Sequence, residues 1–409
     1  MKVLLVSMYF PPAGGAGVRR PLKLAGHLAE LGHEIHVLAP DDPKWLYRDD
    51  SLAVPAGVTV HRVKNVGPRA RLRADELHGA GPLDKLGVRA STTFRRVLIP
   101  DASVLWHATA GPAAVRLVKQ LGIDVVVTTS PPISVNLTGL MAKRLAGVPW
   151  VADLRDSFVS PDRRRHIRGE KQLARRVASR ADAIVTATHG IEDEIRGLNP
   201  RGKVTTIENG CDFEDFEGLE YRRGERFRLT HTGSFVSRRD ARPFFEALAR
   251  AANGDTRARF VGGLRAADRP YVDSLGLGET LDVVPFRPHD EVTKLQRDSD
   301  VNLLLLAAAG AAGRRILSAK VFEYLAAGRP ILAVVPPDGE AAALISETGA
   351  GPVVAPDDVD GIATAIASLE TRWRKDALPP IDLTEAQRAK LSRRERAERL
   401  AALLEEVVR

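Results

Sequence analysis

Ser318, Lys320 and Glu323 lie in SAKVFEYLAAGRPILA, residues 318–333, and their types and spacing suit the binding of a charged ligand. Ser318 can cap a helix, Val321, Phe322 and Leu325 form an apolar stripe at helical spacing, Gly328 supplies a stop, and Pro330 forbids continuation. The start of such a helix offers unpaired N–H groups and a partial positive charge, and Lys320 adds a full one, which favours a diphosphate. Glu323, one turn further on the Lys320 side, can accept hydrogen bonds from a ribose. Residues 331–335 then read as a buried parallel strand. This is the layout of a nucleotide-sugar site. It is also the helix, glycine, proline and strand of ordinary α/β scaffold, so the rest of the chain has to decide between them.

Near the start, Gly14, Gly15 and Gly17 in YFPPAGGAG (residues 9–17) allow a ligand close to the backbone, with helix N–H groups aimed at it. A dinucleotide fingerprint needs a third glycine where Arg20 stands, while Asp41 and Asp42 keep an NAD reading open. Asp153-Leu154-Arg155-Asp156 follows a buried strand at its C-terminal end, the edge where parallel sheets bind ligands. There Asp156 can hydrogen-bond an acceptor hydroxyl or a sugar hydroxyl and Arg155 can orient an anionic acceptor; a structural Asp–Arg pair fits equally. Ser130-Pro131-Pro132, after residues 124–128, makes another lip of the same edge.

These residues need a scaffold of repeated βα units. Residues 3–7 are a strand, 18–31 a helix closed by Gly32, and 34–38 the next strand, one complete βαβ unit. The pattern continues through 59–63, 124–128, 149–153, 183–187 and 203–207, with residues 64–110 expected as a long helical insertion. Asn209-Gly210 marks a turn, and residues 214–225 are charged enough for a linker. A second series runs through strands at 227–232, 257–261, 281–284, 301–306 and 331–335 with helices between, including 241–253. The expected division is an N-terminal Rossmann-like domain at 1–212, a linker at 213–226, a C-terminal Rossmann-like domain at 227–370 and a helical tail at 371–409 packing back on the first domain.

The 409 residues suit two domains, and 44% hydrophobic content is that of a folded chain. The single cysteine, Cys211, excludes an intrachain disulfide framework and reads as a small buried side chain; it fits a cytoplasmic setting. Pro11 and Pro12 cut short the apolar start, which reads as a strand and not a signal peptide, and no apolar run reaches the roughly 20 residues of a membrane helix. Net charge of +8 favours anionic ligands or an acidic membrane surface. The run RRRHIRGEKQLARRVASR, residues 163–180, can rest on anionic headgroups at the inner membrane face or hold a phosphorylated acceptor, or it is a solvated helical face. Nucleic acid is not expected as a partner, since no aromatic residues interleave the charges to stack bases.

Five segments occur in the order found in family 4 glycosyltransferases, which the chain resembles over almost its whole length: YFPPAGGAGVRRPLKLAGHLAELGHEIHVLAP, SRADAIVTATHGIEDEI, IENGCDFEDF, THTGSFVSRRDARPFFEAL and SAKVFEYLAAGRPILAVVPP. The resemblance implies an α/β GT-B fold, two Rossmann-like domains facing across a cleft, with the nucleotide-sugar donor held by the second domain and the acceptor by the first. It further implies transfer with retention and no bound metal or other cofactor. Asp-x-Asp patterns such as Asp298-Ser299-Asp300 are then solvated carboxylates and not metal ligands. In the family a glycine-ended strand is followed by basic residues that grip the donor phosphates; the matching segment is Gly233-Ser234-Phe235-Val236-Ser237-Arg238-Arg239, with Arg239 the diphosphate contact and Arg238 its rival. The late family motif has two glutamates eight positions apart. Glu323 matches the second, the ribose contact, while Arg315 stands in place of the first, which contacts the sugar. Arg315 can therefore meet a carboxylate, a phosphate or the leaving group. Many relatives carry a His–Asp pair where Arg155-Asp156 stands here.

The resulting expectation is a retaining, metal-independent glycosyltransferase acting on a natural-product or cell-envelope acceptor, whether small molecule, lipid-linked or saccharide. Arg239, Lys320 and Asp156 are its catalytic candidates, Gly15, Gly17, Gly233, Ser234, Arg238, Arg315, Ser318 and Glu323 hold the donor, and Arg155 and Ser130 the acceptor. Gly15 and Gly17 form a flexible lip. Two rivals remain: a pseudo-glycosyl coupling or sugar-nucleotide epimerase on the same fold, motivated by Arg315, and a nucleotide-binding protein of that fold without turnover.

Overall fold

The computed structural model describes residues 1–41, 48–66, 98–158, 167–233, 240–252, 254–265, 267–306 and 313–409. Most of the insertion expected at 64–110 lies outside them, as do Asp42 and residues 163–166 of the basic run. The chain divides into two compact units, residues 1–208 with 394–409, and residues 209–393.

In the first unit, β1 (Lys2–Ser7), α1 (Ala16–Glu30), β2 (Glu34–Pro40), β3 (Val58–Val63), α2 (His107–Leu121), β4 (Val125–Ser130), α3 (Asn136–Ala146), β5 (Trp150–Leu154), α4 (Ile167–Arg180), β6 (Ala183–Thr186), α5 (His189–Arg196) and β7 (Lys203–Thr206) alternate. The strands form one seven-stranded parallel sheet in the order β3-β2-β1-β4-β5-β6-β7. Every residue of β4 and β5 is buried, because helices cover both faces of the sheet. Successive residues of β1 accordingly serve different cores: Leu4 and Val6 pack with α2, α3 and α4, while Val3 and Leu5 pack with α1. The second core also takes Leu400, Leu403 and Leu404 from the final helix, which thereby completes the first unit.

The second unit contains β8 (Phe227–Thr232), α6 (Arg242–Ala251), β9 (Thr256–Val261), α7 (Arg269–Ser274), β10 (Leu281–Val284), α8 (His289–Arg297), β11 (Val301–Leu305), α9 (Ala319–Ala327), β12 (Ile331–Val334), α10 (Glu340–Thr348), β13 (Val353–Val354), α11 (Val359–Arg374) and α12 (Glu385–Leu391). Its six strands are parallel in the order β10-β9-β8-β11-β12-β13. Leu303, Leu305 and Leu332 face one core with Phe244 and Phe245, and Leu304, Ile331 and Ala333 face the other with Val321, Phe322 and Leu325 of α9. The strand order reverses between β1 and β4 in one sheet and between β8 and β11 in the other. Doubly wound sheets of this Rossmann-like kind bind ligands beyond the carboxyl ends of the strands at those points.

The stretch 213–226, expected as a linker, runs along the second unit: Phe216 is buried, and the Leu219 carbonyl accepts from Arg297 at 3.0 Å. Helices α11 and α12 also belong to that unit; only residues 394–409 of the expected tail join the first. Cys211 is buried, as its reading required.

The first sheet carries a titratable pair near its edge. His36 Nδ1 lies 3.1 Å from His61 Nε2, and His36 Nε2 lies 3.0 Å from Glu34. Burial, then repulsion from His36, lowers the His61 pKa below its ordinary 6.5, and burial lowers His33 and His107 as well. With folded values depressed, the unfolded chain binds protons first, so stability is full above the unfolded value and falls as pH drops through it and below. The melting temperature should therefore decline between about pH 7 and pH 5, and His61→Gln should flatten that slope in thermal scans.

Candidate functional site

The second unit builds a cationic niche at the end of β8. Gly233 follows that strand with φ of 110°, a conformation open to glycine. A Cβ at this position would lie 2.4 Å from Lys320 Cε and 2.7 Å from Nζ, so the Lys320 side chain rests directly on the Gly233 backbone. Lys320 stands in the first turn of α9, whose N-cap Ser318 accepts from the Lys320 amide at 3.4 Å and whose C-terminal stop is Gly328 at φ of 68°. An ammonium and the positive end of a helix therefore converge beside the Gly233 backbone.

Glu323, one turn along α9, is half-buried. Its Oε2 accepts from Gln296 Nε2 at 3.1 Å, and the same nitrogen donates to Thr232 Oγ1 at 2.9 Å. Tyr324 is fully buried, and its hydroxyl accepts the Thr232 N–H at 2.9 Å; burial pushes its pKa up, keeping the phenol neutral. These side chains fill a split in the sheet. Pairing of β8 with β11 is confined to Val301 with Leu229 and Asn302 with Thr230. Beyond it the Leu303 carbonyl accepts from His231 Nδ1 at 2.9 Å in place of a strand partner. Gln296 Oε1, Thr230 Oγ1 and Asn302 Oδ1 are buried there without a hydrogen-bond partner.

Arg315 is exposed in the turn ahead of α9. Ser234, Arg238 and Arg239 lie outside the described residues. The Asp298-Ser299-Asp300 pattern differs from its expected solvated state. Arg228 pairs with Asp298 at 2.8 Å and with Asp300 at 3.3 Å, Asp300 is fully buried, and Tyr221 donates its hydroxyl to it. Burial and then Asp300 push the Tyr221 phenol up to about 12. Both carboxylates are thus tied into a knot with Arg228.

In the first unit, Asp153 at the end of β5 is buried and accepts from Arg20 through Nε at 3.2 Å and Nη2 at 2.9 Å, and from Thr129 Oγ1 at 2.7 Å. Arg20 also donates to the Ile207 and Glu208 carbonyls, both at 2.8 Å. It stands where a dinucleotide fingerprint would have its third glycine, and the ion pair explains that departure. Arg155 donates to the Ser130 carbonyl at 2.9 Å and the Gly17 carbonyl at 2.7 Å, and burial lowers its pKa from the ordinary value. The Ser130 hydroxyl is buried and turned to the Asp153 carbonyl at 3.3 Å. Asp156 is exposed. Asp41 accepts the Asn65 N–H at 3.0 Å at the end of β3.

Three carbonyls of the glycine loop, expected as a flexible lip, accept hydrogen bonds from elsewhere in the first unit. Arg62 holds the Pro11 carbonyl, the Asp49 N–H the Pro12 carbonyl at 3.1 Å, and Arg155 the Gly17 carbonyl. Gly15 caps α1 with φ of 95°, and a Cβ on Gly17 would lie 3.2 Å from the Tyr9 ring. The glycines here serve tight packing. Gln296, Thr232, Tyr324 and Arg20 were not singled out by sequence for these contacts; the hint for Arg20 was the missing glycine, and for Thr232 its place before Gly233.

Residues 14–210 match the family model described as glycosyl transferase 4-like domain, and residues 226–372 that described as glycosyl transferases group 1. No curated protein matches the chain in sequence. Among solved structures it is similar to the sucrose-phosphate synthase of Thermosynechococcus elongatus, with 14% identity over 99% of this chain and 98% of that one and a TM-score of 0.66. A glycosyltransferase from Rickettsia africae matches with 14% identity over 100% and 98% of the two chains and a TM-score of 0.65. HepE of Anabaena, solved with UDP and glucose, matches with 16% identity over 99% and 100% and a TM-score of 0.66.

Proposed function

Since this chain belongs to the GT-B glycosyltransferases, with a glycosyl transferase 4-like first half and a group 1 second half, we propose that it moves a sugar, with retention and without a metal, from a nucleotide-sugar donor to a natural-product or cell-envelope acceptor. The observation that carries this reading is Lys320, laid on Gly233 at the start of α9, with Glu323 one turn on. As the glycosidic bond to the diphosphate breaks, negative charge grows on the leaving oxygens while the anomeric carbon becomes cationic. The Lys320 ammonium and the N–H groups of the Ser318-capped turn stabilise that growing charge, the service a metal would otherwise give. Arg239, with Arg238 beside it, is proposed to add a second cation on the phosphates, and Glu323 to hold the ribose hydroxyls. HepE was also solved with UDP-glucose, which supports a sugar nucleotide as the donor class.

In the first unit we assign Asp156 to a hydroxyl of the acceptor or of the donor sugar. Arg155 and Ser130, engaged with backbone, position the glycine loop and the strand end. Among the described residues no helix is long and apolar enough to cross a membrane. The exposed Lys171, Arg175, Arg176 and Arg180 of α4 suit a peripheral contact with anionic headgroups, as an envelope-lipid acceptor would require. Arg315, exposed ahead of α9 where the family has a sugar-binding glutamate, favours one second reading, a pseudo-glycosyl coupling or an epimerase on the same site.

A thermal-shift panel of sugar nucleotides identifies the donor, since a ligand of the native state raises the melting temperature. With that donor, Glu323→Ala should raise KM by about tenfold or more, the scale of a lost hydrogen bond to a charged group. Folding should survive, because Gln296 Nε2 keeps Thr232 as a partner. An unchanged KM would remove Glu323 from the donor site.

A further inference from the structure

We propose that Gln296 is the positioning residue for Glu323, fixing its carboxylate from beneath so that the other oxygen meets the donor ribose. This rests on the assignment of Glu323 to the ribose. Gln296 has no exposed surface. Its amide nitrogen donates to Glu323 Oε2 at 3.1 Å and to Thr232 Oγ1 at 2.9 Å. The chemistry fixes which way the amide points: an ionised carboxylate only accepts, so the amide nitrogen must face it.

The other end of the amide makes the case stronger. Oε1 is buried without a hydrogen-bond partner. A leucine would fill much the same volume with no orphaned acceptor, so a glutamine here is costly for stability alone. Its nitrogen gives that cost a purpose.

The support beneath it is rigid. The Gln296 carbonyl accepts from Asn302 Nδ2 at 3.3 Å, tying α8 to β11. Thr232, the second recipient of the amide, is tied to α9 through the Tyr324 hydroxyl at 2.9 Å and precedes Gly233, on which Lys320 rests. The carboxylate assigned to the ribose and the ammonium assigned to the diphosphate are thus referenced to the same strand end. A glutamate held in one rotamer before binding does not lose that freedom on binding, which raises affinity for whatever it grips.

The test uses the full-length chain and whichever of UDP, GDP, ADP and dTDP gives the largest thermal shift, together with the 2′,3′-dideoxy form of the same diphosphate. Calorimetry on wild type, Glu323→Ala and Gln296→Leu then gives the ribo-to-dideoxy affinity ratio for each. Wild type should prefer the hydroxylated ligand and Glu323→Ala should lose the preference. Gln296→Leu should reduce it about tenfold with dideoxy affinity unchanged, the scale of immobilising one free glutamate side chain. If Glu323→Ala loses the preference and Gln296→Leu keeps it, the ribose assignment stands and the role of Gln296 is overturned. Equal weakening of both ligands by Gln296→Leu makes the residue merely structural and also overturns it. An intact preference in Glu323→Ala, or no binding of any diphosphate, overturns the ribose assignment and this inference with it. Should Gln296→Leu not fold, Gln296→Met is measured in the same way, with the same outcomes deciding.

Discussion

Lys320→Met is expected to lower kcat by about 10²–10³-fold, the usual loss when one preorganised donor to a developing anion is removed. The assay is release of nucleoside diphosphate at saturating donor and acceptor. Methionine keeps an unbranched apolar stem that reaches as far as Cε and removes the ammonium, so helix α9 and its buried Val321 and Phe322 should be unaffected. The loss should fall on kcat more than on donor KM, because a sugar nucleotide already carries its diphosphate charge when bound and gains more as the bond breaks. The position matters as much as the charge. Lys320 lies half-buried against Gly233 at the positive end of a helix, where an ion pair is stronger than at the open surface. A kcat within twofold of wild type would take Lys320 out of leaving-group stabilisation and leave that role to Arg238, Arg239, Arg315 and the N–H groups of the Ser318-capped turn.

Lys320 and Glu323 could be paired on paper because their relation is local: three residues apart on one helix, they share a face whatever the fold around them. Ser318, Gly328 and Pro330 bounded that helix for the same reason. The strands were legible because sheets covered on both faces turn a strand into an unbroken apolar run, such as Leu303-Leu304-Leu305. What stayed hidden depends on strand order. Gln296 and Glu323 are 27 residues apart and meet because α8 and α9 flank the same split between β8 and β11. Arg20 and Asp153 are 133 residues apart and meet because β1 and β5 both border β4. Local composition was also misleading in places. Asp298 and Asp300 look solvated until Arg228 is placed between them, and the charged stretch after Asn209 hides Phe216, whose ring packs in the second unit's core with Val321 and Phe322 of α9. The glycines at 14, 15 and 17 suggested freedom, whereas three backbone carbonyls of that loop are held by distant residues.

The second large effect is expected at the buried pair beneath that loop. Asp153→Ala and Arg20→Met should each destabilise the first unit by about 3–5 kcal/mol, since each leaves the opposite charge buried and uncompensated. The side chains of Arg20 and Asp153 are each 3% exposed, so solvent screens little of the interaction. For a unit of this size that is a fall in melting temperature of about 6–20 °C. The double variant should lose less than the sum of the singles, by about 1 kcal/mol or more, because no charge is then left unpaired. It should not return to wild type. The Ile207 and Glu208 carbonyls and the Thr129 hydroxyl lose their partners in any case. Additive singles, or singles each costing under about 1 kcal/mol, would mean that the pair is solvated in solution. The consequence for function follows from geometry. Arg20 to Asp153 and Arg155 to Gly17 are two staples between the end of β5 and the start of α1, so losing the first leaves one direct tie between the loop that carries Gly15 and the edge that carries Asp156. Activity measured well below the lowered melting temperature should therefore fall in Asp153→Ala while Glu323-dependent nucleotide binding in the other unit is unchanged.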